Sequence, residues 1–209
     1  LWLMDDDTIP TNEALIHMIE RINNLNNDLS IGFSCSKVLW INEKPHIMNI
    51  PAVKSLVNDI PFNLYENKGI LLVESASFVS LLINKNVIKK IGFPIKEFFI
   101  WADDVEYTLR IAKNGYLGVY VKDSLVFHKT KTNYSASETY DWRFYYNVRN
   151  WLWIYKLYYK KKYPFFLLVK ILSTLYLPFR VWNANIKACI CSLIKTPKIE
   201  VVEYEHKNS

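Results

Sequence analysis

Residues 70–92, ILLVESASFVSLLINKNVIKKIG, contain the pattern that decides the fold class. Almost all of the residues before Asn84 are apolar or small, which is typical of buried strand segments. Asn84 then predicts the N-cap of a short helix, and Gly92 predicts its end, because glycine readily adopts the left-handed backbone found after helices. Strands that alternate with helices in this way predict an α/β sheet domain.

The same alternation extends in both directions along the chain. Further strands are predicted at residues 1–4, 31–41, 116–121 and 125–127. Further helices are predicted at residues 12–24, with Thr11 as N-cap, and at residues 103–114 and 139–159. Residues 42–68 contain three scattered prolines and are predicted to form a loop. We therefore predict an α/β domain over residues 1–135, a helical region over 136–195 and a polar tail over 196–209.

The composition excludes several classes of protein. Of the 209 residues, 51% are hydrophobic and 22% are charged, so the chain is not predominantly disordered. Only 5 glycines are present, which excludes collagen-like and glycine-rich architectures. The three cysteines, Cys35, Cys189 and Cys191, form no CxxC pair, so neither a disulfide framework nor a cysteine zinc site is indicated. A reducing compartment fits this composition best.

Charge is divided unevenly between a near-neutral part and a basic part. Residues 1–140 carry a net charge of −2, whereas residues 141–209 carry +8. Within the basic part, residues 163–182 read YPFFLLVKILSTLYLPFRVW, and Lys170, Pro178 and Arg180 interrupt this apolar run. The pattern favours a helix at an anionic membrane surface over a membrane span. A helix that packs on the rest of the protein is the alternative.

Basic charge alone would also suit a nucleic-acid partner. The sequence contains no helix-turn-helix, zinc or RNA-recognition signature, and the tail is more apolar than is usual in an RNA-binding arm. We therefore expect no nucleic-acid partner.

Two acidic clusters and one histidine are candidates for chemistry. Asp5, Asp6 and Asp7 directly follow a predicted strand, where ligands of open α/β sheets bind, and paired carboxylates can hold a divalent ion. A solvated acidic turn is the alternative. His128 follows another predicted strand, and a neutral imidazole there would complete a site for a Mn²⁺-like ion. A structural or exposed histidine is the alternative.

The second acidic cluster lies in residues 101–107, WADDVEY. Asp103 or Asp104 could cap the predicted helix, or could act as an ionised base at its N-terminus. Trp101 could stack on a sugar ring or belong to the core.

The motifs together resemble one enzyme family. In order they are WLMDDDT at 2–8, SASFVSLLI at 75–83, IGFP at 91–94, FFIWADDVEYTLRI at 98–111, and His128. This set resembles glycosyltransferase family 2, the inverting enzymes of the GT-A fold, over residues 1–155. Within that family the chain is most similar to bacterial galactofuranosyltransferases and rhamnosyltransferases, and the 24-residue spacing from Asp104 to His128 favours the former.

The resemblance implies a role for each matching residue. Asp5, Asp6 and Asp7 would contact the nucleotide sugar and its metal, Mn²⁺ or Mg²⁺, with Asp5, Asp7 and His128 as metal ligands. Asp104 would be the catalytic base, and Trp101 and Asp103 would contact the acceptor. The segment YYNVRN, with Tyr146, Arg149 and Asn150, matches a recurrent stretch to which no role is attached.

The implied function is metal-dependent transfer of galactofuranose from UDP-galactofuranose to a glycan or lipid-linked acceptor, at the cytoplasmic face of the cell membrane. Transfer from dTDP-rhamnose is the near alternative. The strand–helix units that precede the DxD element in the family have no counterpart before Leu1, so the chain is expected to be the second half of a GT-A domain. A non-catalytic, membrane-associated remnant is therefore a further alternative.

Overall fold

The computed structural model describes residues 1–25, 29–134 and 139–200 of the chain. These residues form a mixed α/β structure with a mixed β-sheet, in agreement with the predicted class. They divide into two compact units. The first comprises Leu1–Phe93 and Tyr107–Tyr134, and the second comprises Pro94–Glu106 and the described part of Ser135–Glu200.

The first unit is built around a six-stranded sheet. Its strands are β1 (Trp2–Leu3), β2 (Thr8–Pro10), β3 (Ile31–Leu39), β6 (Ile70–Val73), β7 (Leu81–Ile83) and β8 (Leu117–His128). The order is β1-β7-β3-β8-β2, and β6 also pairs with β8. Strands β3 and β8 are parallel, and the other pairs are antiparallel. Two further short strands, β4 (Leu56–Val57) and β5 (Ile60–Pro61), form a separate hairpin.

Helices pack on the sheet through two apolar cores. Helix α1 (Ala14–Asn23) contributes Met18 to a core with Val119 and Val121 of β8. Helices α2 (Lys85–Ile91) and α3 (Asp103–Lys113) contribute Ile91 and Ile111 to a second core, which contains Phe33 of β3, Val87 and Tyr107. Because alternate residues of a strand point to opposite faces, the helices lie on both faces of the sheet.

Strand β8 differs from the prediction of two short strands. It is one strand of twelve residues with a bulge, because Ser36 of β3 pairs with Val121 whereas Lys37 pairs with Leu125. Residues 122–124 therefore have no backbone pairing partner on β3, although the Ser124 hydroxyl lies 2.7 Å from that of Ser36. Two of these residues contact α1, where the Ser124 hydroxyl donates to the Ala14 carbonyl (2.7 Å) and the Asp123 carboxylate binds Arg21.

The second unit is helical. Helix α4 (Phe144–Tyr158) packs against α5 (Tyr163–Ser173) and α6 (Trp182–Ile194). Helices α5 and α6 are antiparallel, since Tyr163 Oη lies 3.1 Å from Ser192 Oγ and Asn185 Nδ2 donates to the Lys170 carbonyl at 2.7 Å. The apolar segment predicted over 163–182 is thus broken between these two helices. None of the helices in the described ranges is long and apolar enough to cross a membrane.

The predictions made from local sequence patterns were partly correct. The Asn84 side chain caps α2 by accepting from Asn86 N (2.9 Å), and Gly92 ends the helix with a φ of 85°, as predicted. The prediction that Thr11 is the N-cap of α1 was wrong, because the Thr11 hydroxyl donates to the Leu125 carbonyl (3.1 Å) and α1 begins at Ala14. The strands β2, β4 and β5 were not predicted. Within the predicted polar tail, residues 201–209 lie outside the described part of the chain.

Candidate functional site

The three aspartates form a turn beside the end of the longest strand. The amide of Thr8 donates to the Asp5 carbonyl (3.1 Å), which closes the turn between β1 and β2. Strand β2 then pairs with β8 so that Thr8 lies opposite His128. The amide of Lys129 also donates to the Asp7 carbonyl (3.0 Å). Backbone pairing therefore fixes the turn next to His128.

This pairing brings together the three residues predicted to be metal ligands. His128 Nε2 lies 3.1 Å from Asp7 Oδ1 and 3.8 Å from Asp5 Oδ2. Within the described residues, one ligand atom from each of the three lies within 4.8 Å of the others. The His128 side chain is 3% exposed, whereas those of Asp5 and Asp7 are 51% and 44% exposed. Asp6 is exposed in the same turn and is not one of the three.

The electrostatics of the turn favour a cation. Partial burial raises the pKa of Asp5, the carboxylates of Asp7 and Asp6 raise it further, and His128 lowers it. These carboxylates repel one another when all are ionised. A divalent cation between Asp5 and Asp7 would remove this repulsion. Two carboxylate oxygens with one imidazole nitrogen suit Mn²⁺, and the oxygens alone also suit Mg²⁺, so the residues fit the predicted metal.

Asn49 sets the orientation and the tautomer of His128. The Asn49 amide nitrogen donates to Ser77 Oγ (3.0 Å), and its oxygen lies 2.8 Å from His128 Nδ1. Because an amide oxygen only accepts hydrogen bonds, Nδ1 must carry the proton. The lone pair of the neutral ring then lies on Nε2, which faces the two aspartates. Partners of this kind hold metal-ligating histidines in other proteins. Asn49 was not predicted, because it lies in the segment interpreted as a loop.

A second histidine, also not predicted, packs against the first. The rings of His46 and His128 have centroids 4.5 Å apart, and His46 is fully buried. His46 Nε2 donates to Thr130 Oγ1 (2.8 Å), whose own hydrogen goes to the Thr132 carbonyl (2.9 Å). Burial lowers the pKa of His46 to about 4, and the neighbouring His128 adds to the lowering. The His46 ring is therefore neutral at pH 7 and adds no positive charge beside the candidate ligands.

Replacing Asn49 by alanine is expected to lower the affinity for Mn²⁺ by about 10- to 100-fold, as is typical when the partner of a metal-ligating histidine is removed. The change leaves all three candidate ligands in place and removes both the hydrogen bond that orients His128 and the hydrogen bond from Asn49 to Ser77. Titration calorimetry with Mn²⁺ measures the effect. Ser77→Ala is the matched control, since it removes the other hydrogen bond of Asn49, and it should change the affinity less. Equal affinities in Asn49→Ala and the unmodified chain would contradict the orienting role.

The second acidic cluster follows a strained loop in the second unit. Positive φ values occur at Phe99 (64°), Trp101 (63°) and Ala102 (60°). In this region of backbone conformation, a residue with a Cβ atom is destabilised by about 1–2 kcal/mol. The loop leads directly into the first turn of α3, which contains Asp103 and Asp104. Other contacts must therefore hold the loop in this conformation.

Two residues of the YYNVRN segment make those contacts. The Asn150 amide nitrogen lies 2.9, 3.0 and 2.6 Å from the carbonyl oxygens of Phe98, Ile100 and Trp101. Its own oxygen accepts from Arg149 Nε (3.0 Å) and Nη2 (2.8 Å), which fixes the orientation of the amide. Arg149 also donates to the carbonyls of residues 97 and 98, and its guanidinium lies 4.8 and 4.2 Å from the ring centroids of residues 146 and 153. These contacts give the segment a structural role that its sequence did not reveal.

The residues predicted for catalysis and acceptor contact lie at the end of this loop. Asp103 and Asp104 are partly exposed at the start of α3, where the helix dipole favours negative charge. Asp104 Oδ1 accepts from the Val105 amide at 2.7 Å. Trp101 is partly exposed, and the guanidinium of Arg143 lies 4.8 Å from its ring centroid. Trp101 therefore lies in the loop, and Asp103 and Asp104 follow it directly in the first turn of α3.

Replacing Asn150 by alanine is expected to lower the free energy of unfolding by about 2–4 kcal/mol, because it leaves one buried and two partly buried carbonyl oxygens without their donor, at a cost of about 1–3 kcal/mol for a buried one. Urea denaturation would measure the loss. Asn183→Ala, an exposed asparagine on α6, is the matched control and should change stability by less than about 0.5 kcal/mol. Similar losses in the two variants would show that Asn150 does not hold the loop.

Comparisons with known proteins return no family: no protein-family model matches the chain, and no curated protein sequence matches it.

Proposed function

We propose that this chain carries the metal-binding and catalytic residues of an inverting glycosyltransferase of family 2 and the GT-A fold. The favoured donor is UDP-galactofuranose, and the acceptor is a glycan or lipid-linked sugar at the cytoplasmic face of the cell membrane. The observation that carries the proposal is the meeting of Asp5, Asp7 and His128 at one edge of the sheet. The mixed α/β fold is compatible with it.

In the proposed site, Asp5, Asp7 and His128 would hold Mn²⁺ or Mg²⁺, and Asp6 would contact the donor. Bound there, the ion would neutralise negative charge on the departing nucleoside diphosphate. His128 presents the Nε2 lone pair because its Nδ1–H donates a hydrogen bond to the Asn49 side-chain oxygen. Asp5 and Asp7 are half exposed, so a donor from solvent can reach the same side chains.

Asp104 is the proposed general base. Its carboxylate takes the proton of an acceptor hydroxyl while that oxygen forms a bond to the anomeric carbon and the bond from that carbon to the diphosphate breaks. One displacement inverts the anomeric centre, so no covalent enzyme intermediate is required. Trp101 offers an aromatic face and Asp103 a hydrogen-bond acceptor to the incoming sugar. The contacts of Asn150 hold the loop that presents these three residues.

The test is sugar transfer in membranes by the full polypeptide that contains these 209 residues. UDP-galactofuranose and dTDP-rhamnose are offered separately with Mn²⁺, with and without EDTA. We expect transfer of galactofuranose that EDTA abolishes. Transfer from dTDP-rhamnose alone would replace the donor and keep the reaction class. If a folded protein transfers from neither donor, another donor is tested next, and failure to bind any nucleotide sugar would overturn the catalytic proposal and leave the non-catalytic remnant.

A further inference from the structure

The outward side of α5 and of the turn after it is apolar throughout. Every exposed position from 164 to 179 is an apolar residue, a proline or a tyrosine. The most exposed of them, at the end of the helical hairpin, are Leu175 (70%), Tyr176 (90%) and Phe179 (82%). We call this surface the apolar face, and its larger side chains are Phe165, Leu168, Val169, Ile171, Leu172, Leu175, Tyr176 and Phe179. A helix that faces water normally shows the opposite pattern, with its charged residues outward.

The charged residue in this stretch points to the other side of the helix. Lys170 is only partly exposed, and its ammonium lies 5.3 Å from the ring centroid of Phe166, which packs on the core of the unit. Burial lowers the pKa of Lys170. In the sequence Lys170 interrupts an apolar run, but in the folded chain it does not interrupt the apolar face.

Helix α6, which packs beside α5, adds a second apolar stripe. Ile186, Ile190, Leu193 and Ile194 are each between 48% and 76% exposed, and their spacing of four, three and one residues places them on one side of the helix. Large exposed apolar patches on a folded unit mark an interaction surface.

The charges around the apolar face indicate what it binds. Between residues 142 and 199 the sequence contains no acidic residue, while it contains eleven lysines and arginines. Lys160, Lys161 and Lys162 are exposed immediately before α5, and Arg180 is exposed immediately after the apolar face. Lys187 is exposed on α6. An apolar face bordered by cations at both ends complements a bilayer whose headgroups are anionic and whose interior is apolar.

We infer that the α5–α6 hairpin docks on an anionic lipid bilayer, with the apolar face at the boundary between headgroups and acyl chains and the bordering lysines and arginines on lipid phosphates. Leu175, Tyr176 and Phe179, the most exposed side chains at the end of the hairpin, enter the apolar layer, and Lys160–Lys162 and Arg180 remain at headgroup level. This inference does not depend on the proposed sugar transfer, because it concerns only the second unit and its test has no catalytic readout.

The test is flotation of the full polypeptide that contains this chain with two kinds of vesicle. One kind is phosphatidylcholine with about 30% of the anionic lipid phosphatidylglycerol, which attracts basic segments. The other kind is pure phosphatidylcholine. At low salt we expect binding to the anionic vesicles to be at least about tenfold stronger than binding to pure phosphatidylcholine. This binding should weaken as salt is raised. No flotation with anionic vesicles would overturn the inference.

Variants separate the apolar contribution from the charge. Leu175→Ser, Tyr176→Ser and Phe179→Ser together should lower vesicle binding by about tenfold or more, since three large exposed apolar side chains are lost from the contact. The control changes three exposed isoleucines of the first unit, Ile41, Ile47 and Ile50 (59%, 52% and 62%), to serine and should bind as the unmodified protein does. Circular dichroism verifies that both variants are folded.

Two results would show that the apolar face does not contact lipid. Equal vesicle binding by the two serine variants would show that charge alone brings the protein to lipid. A second copy would cover the face if the unmodified protein does not bind vesicles but dimerises with increasing concentration in analytical ultracentrifugation, and if the hairpin variant does not dimerise.

A third variant tests the charges. With Lys160, Lys161 and Lys162 changed to glutamine, the protein should lose most of its preference for anionic vesicles, and an unchanged preference would contradict the inference.

Discussion

Replacing Asp104 by asparagine is expected to lower the rate constant for sugar transfer by about 10²- to 10⁴-fold, which is the usual contribution of a general base. Asparagine has nearly the same shape, and its oxygen can still accept the hydrogen bond from the Val105 amide at the start of α3. It cannot take up the proton of the acceptor hydroxyl. The measurement is kcat for transfer from UDP-galactofuranose by the full polypeptide at saturating donor and acceptor.

The neighbouring carboxylate provides the control for this variant. Asp103→Asn changes the same kind of group in the same turn of α3, and as an acceptor contact it should raise the KM for the acceptor more than it lowers kcat. Binding of the donor to Asp104→Asn, measured by calorimetry, should be unchanged. An Asp104→Asn enzyme with a kcat near that of the unmodified enzyme would exclude Asp104 as the base.

Removing the imidazole of His128 is expected to lower Mn²⁺ affinity by more than about 100-fold. Loss of a supporting residue alone costs about 10- to 100-fold, and His128 is the buried member of the group of three. The variant is His128→Ala, and the measurement is the electron paramagnetic resonance signal of unbound Mn²⁺ during a titration. Transfer activity should fall in parallel and should recover in part at high Mn²⁺ concentration.

A histidine elsewhere in the first unit is the control for His128→Ala. His17 on α1 lies 2.8 Å from the Asp123 carbonyl and is about one-third exposed, so His17→Ala removes an imidazole without touching the candidate ligands. Its Mn²⁺ affinity should equal that of the unmodified protein. If the two variants lose affinity equally, the loss reflects damage to the fold and His128 is not a ligand.

The parts of the fold that were predicted correctly are those with strong local signals. The Asn84 cap and the Gly92 stop defined α2, because both act through hydrogen bonds or backbone angles within a few residues. Strand β2 was missed since it has three residues and exists only through pairing with β8. The bulge at residues 122–124 was interpreted as a gap between two strands, because the contacts of these residues with α1 are distant in sequence.

The candidate site shows the same division. The grouping of Asp5, Asp7 and His128 could be predicted because each follows a predicted strand and because the ordered motifs that contain them resemble those of one enzyme family. Asn49 and His46 could not, because an asparagine and a histidine in a proline-containing segment carry no periodic signal. Their importance comes from contacts with His128, about 80 residues further along the chain. The same holds for Asn150, whose three carbonyl partners lie about 50 residues before it.

The bulge in β8 also determines on which face of the sheet His128 lies. In a regular strand, residues an even number apart share a face, so that Val121 and residue 127 would point the same way. Because 122–124 lie outside the pairing with β3, the alternation is reversed after Val121, and Val126 and His128 share the face of Val119 and Val121 instead.

Changes of chain length in β8 therefore have unequal consequences. Deleting residues 122–124 altogether would keep Lys37 opposite Leu125 and leave His128 in its present position, with loss of the contacts to α1. Inserting one residue between Leu125 and His128 would turn the imidazole to the opposite face, away from the aspartates. In functional relatives of this chain, length should vary at the bulge and stay constant over the last four residues of the strand.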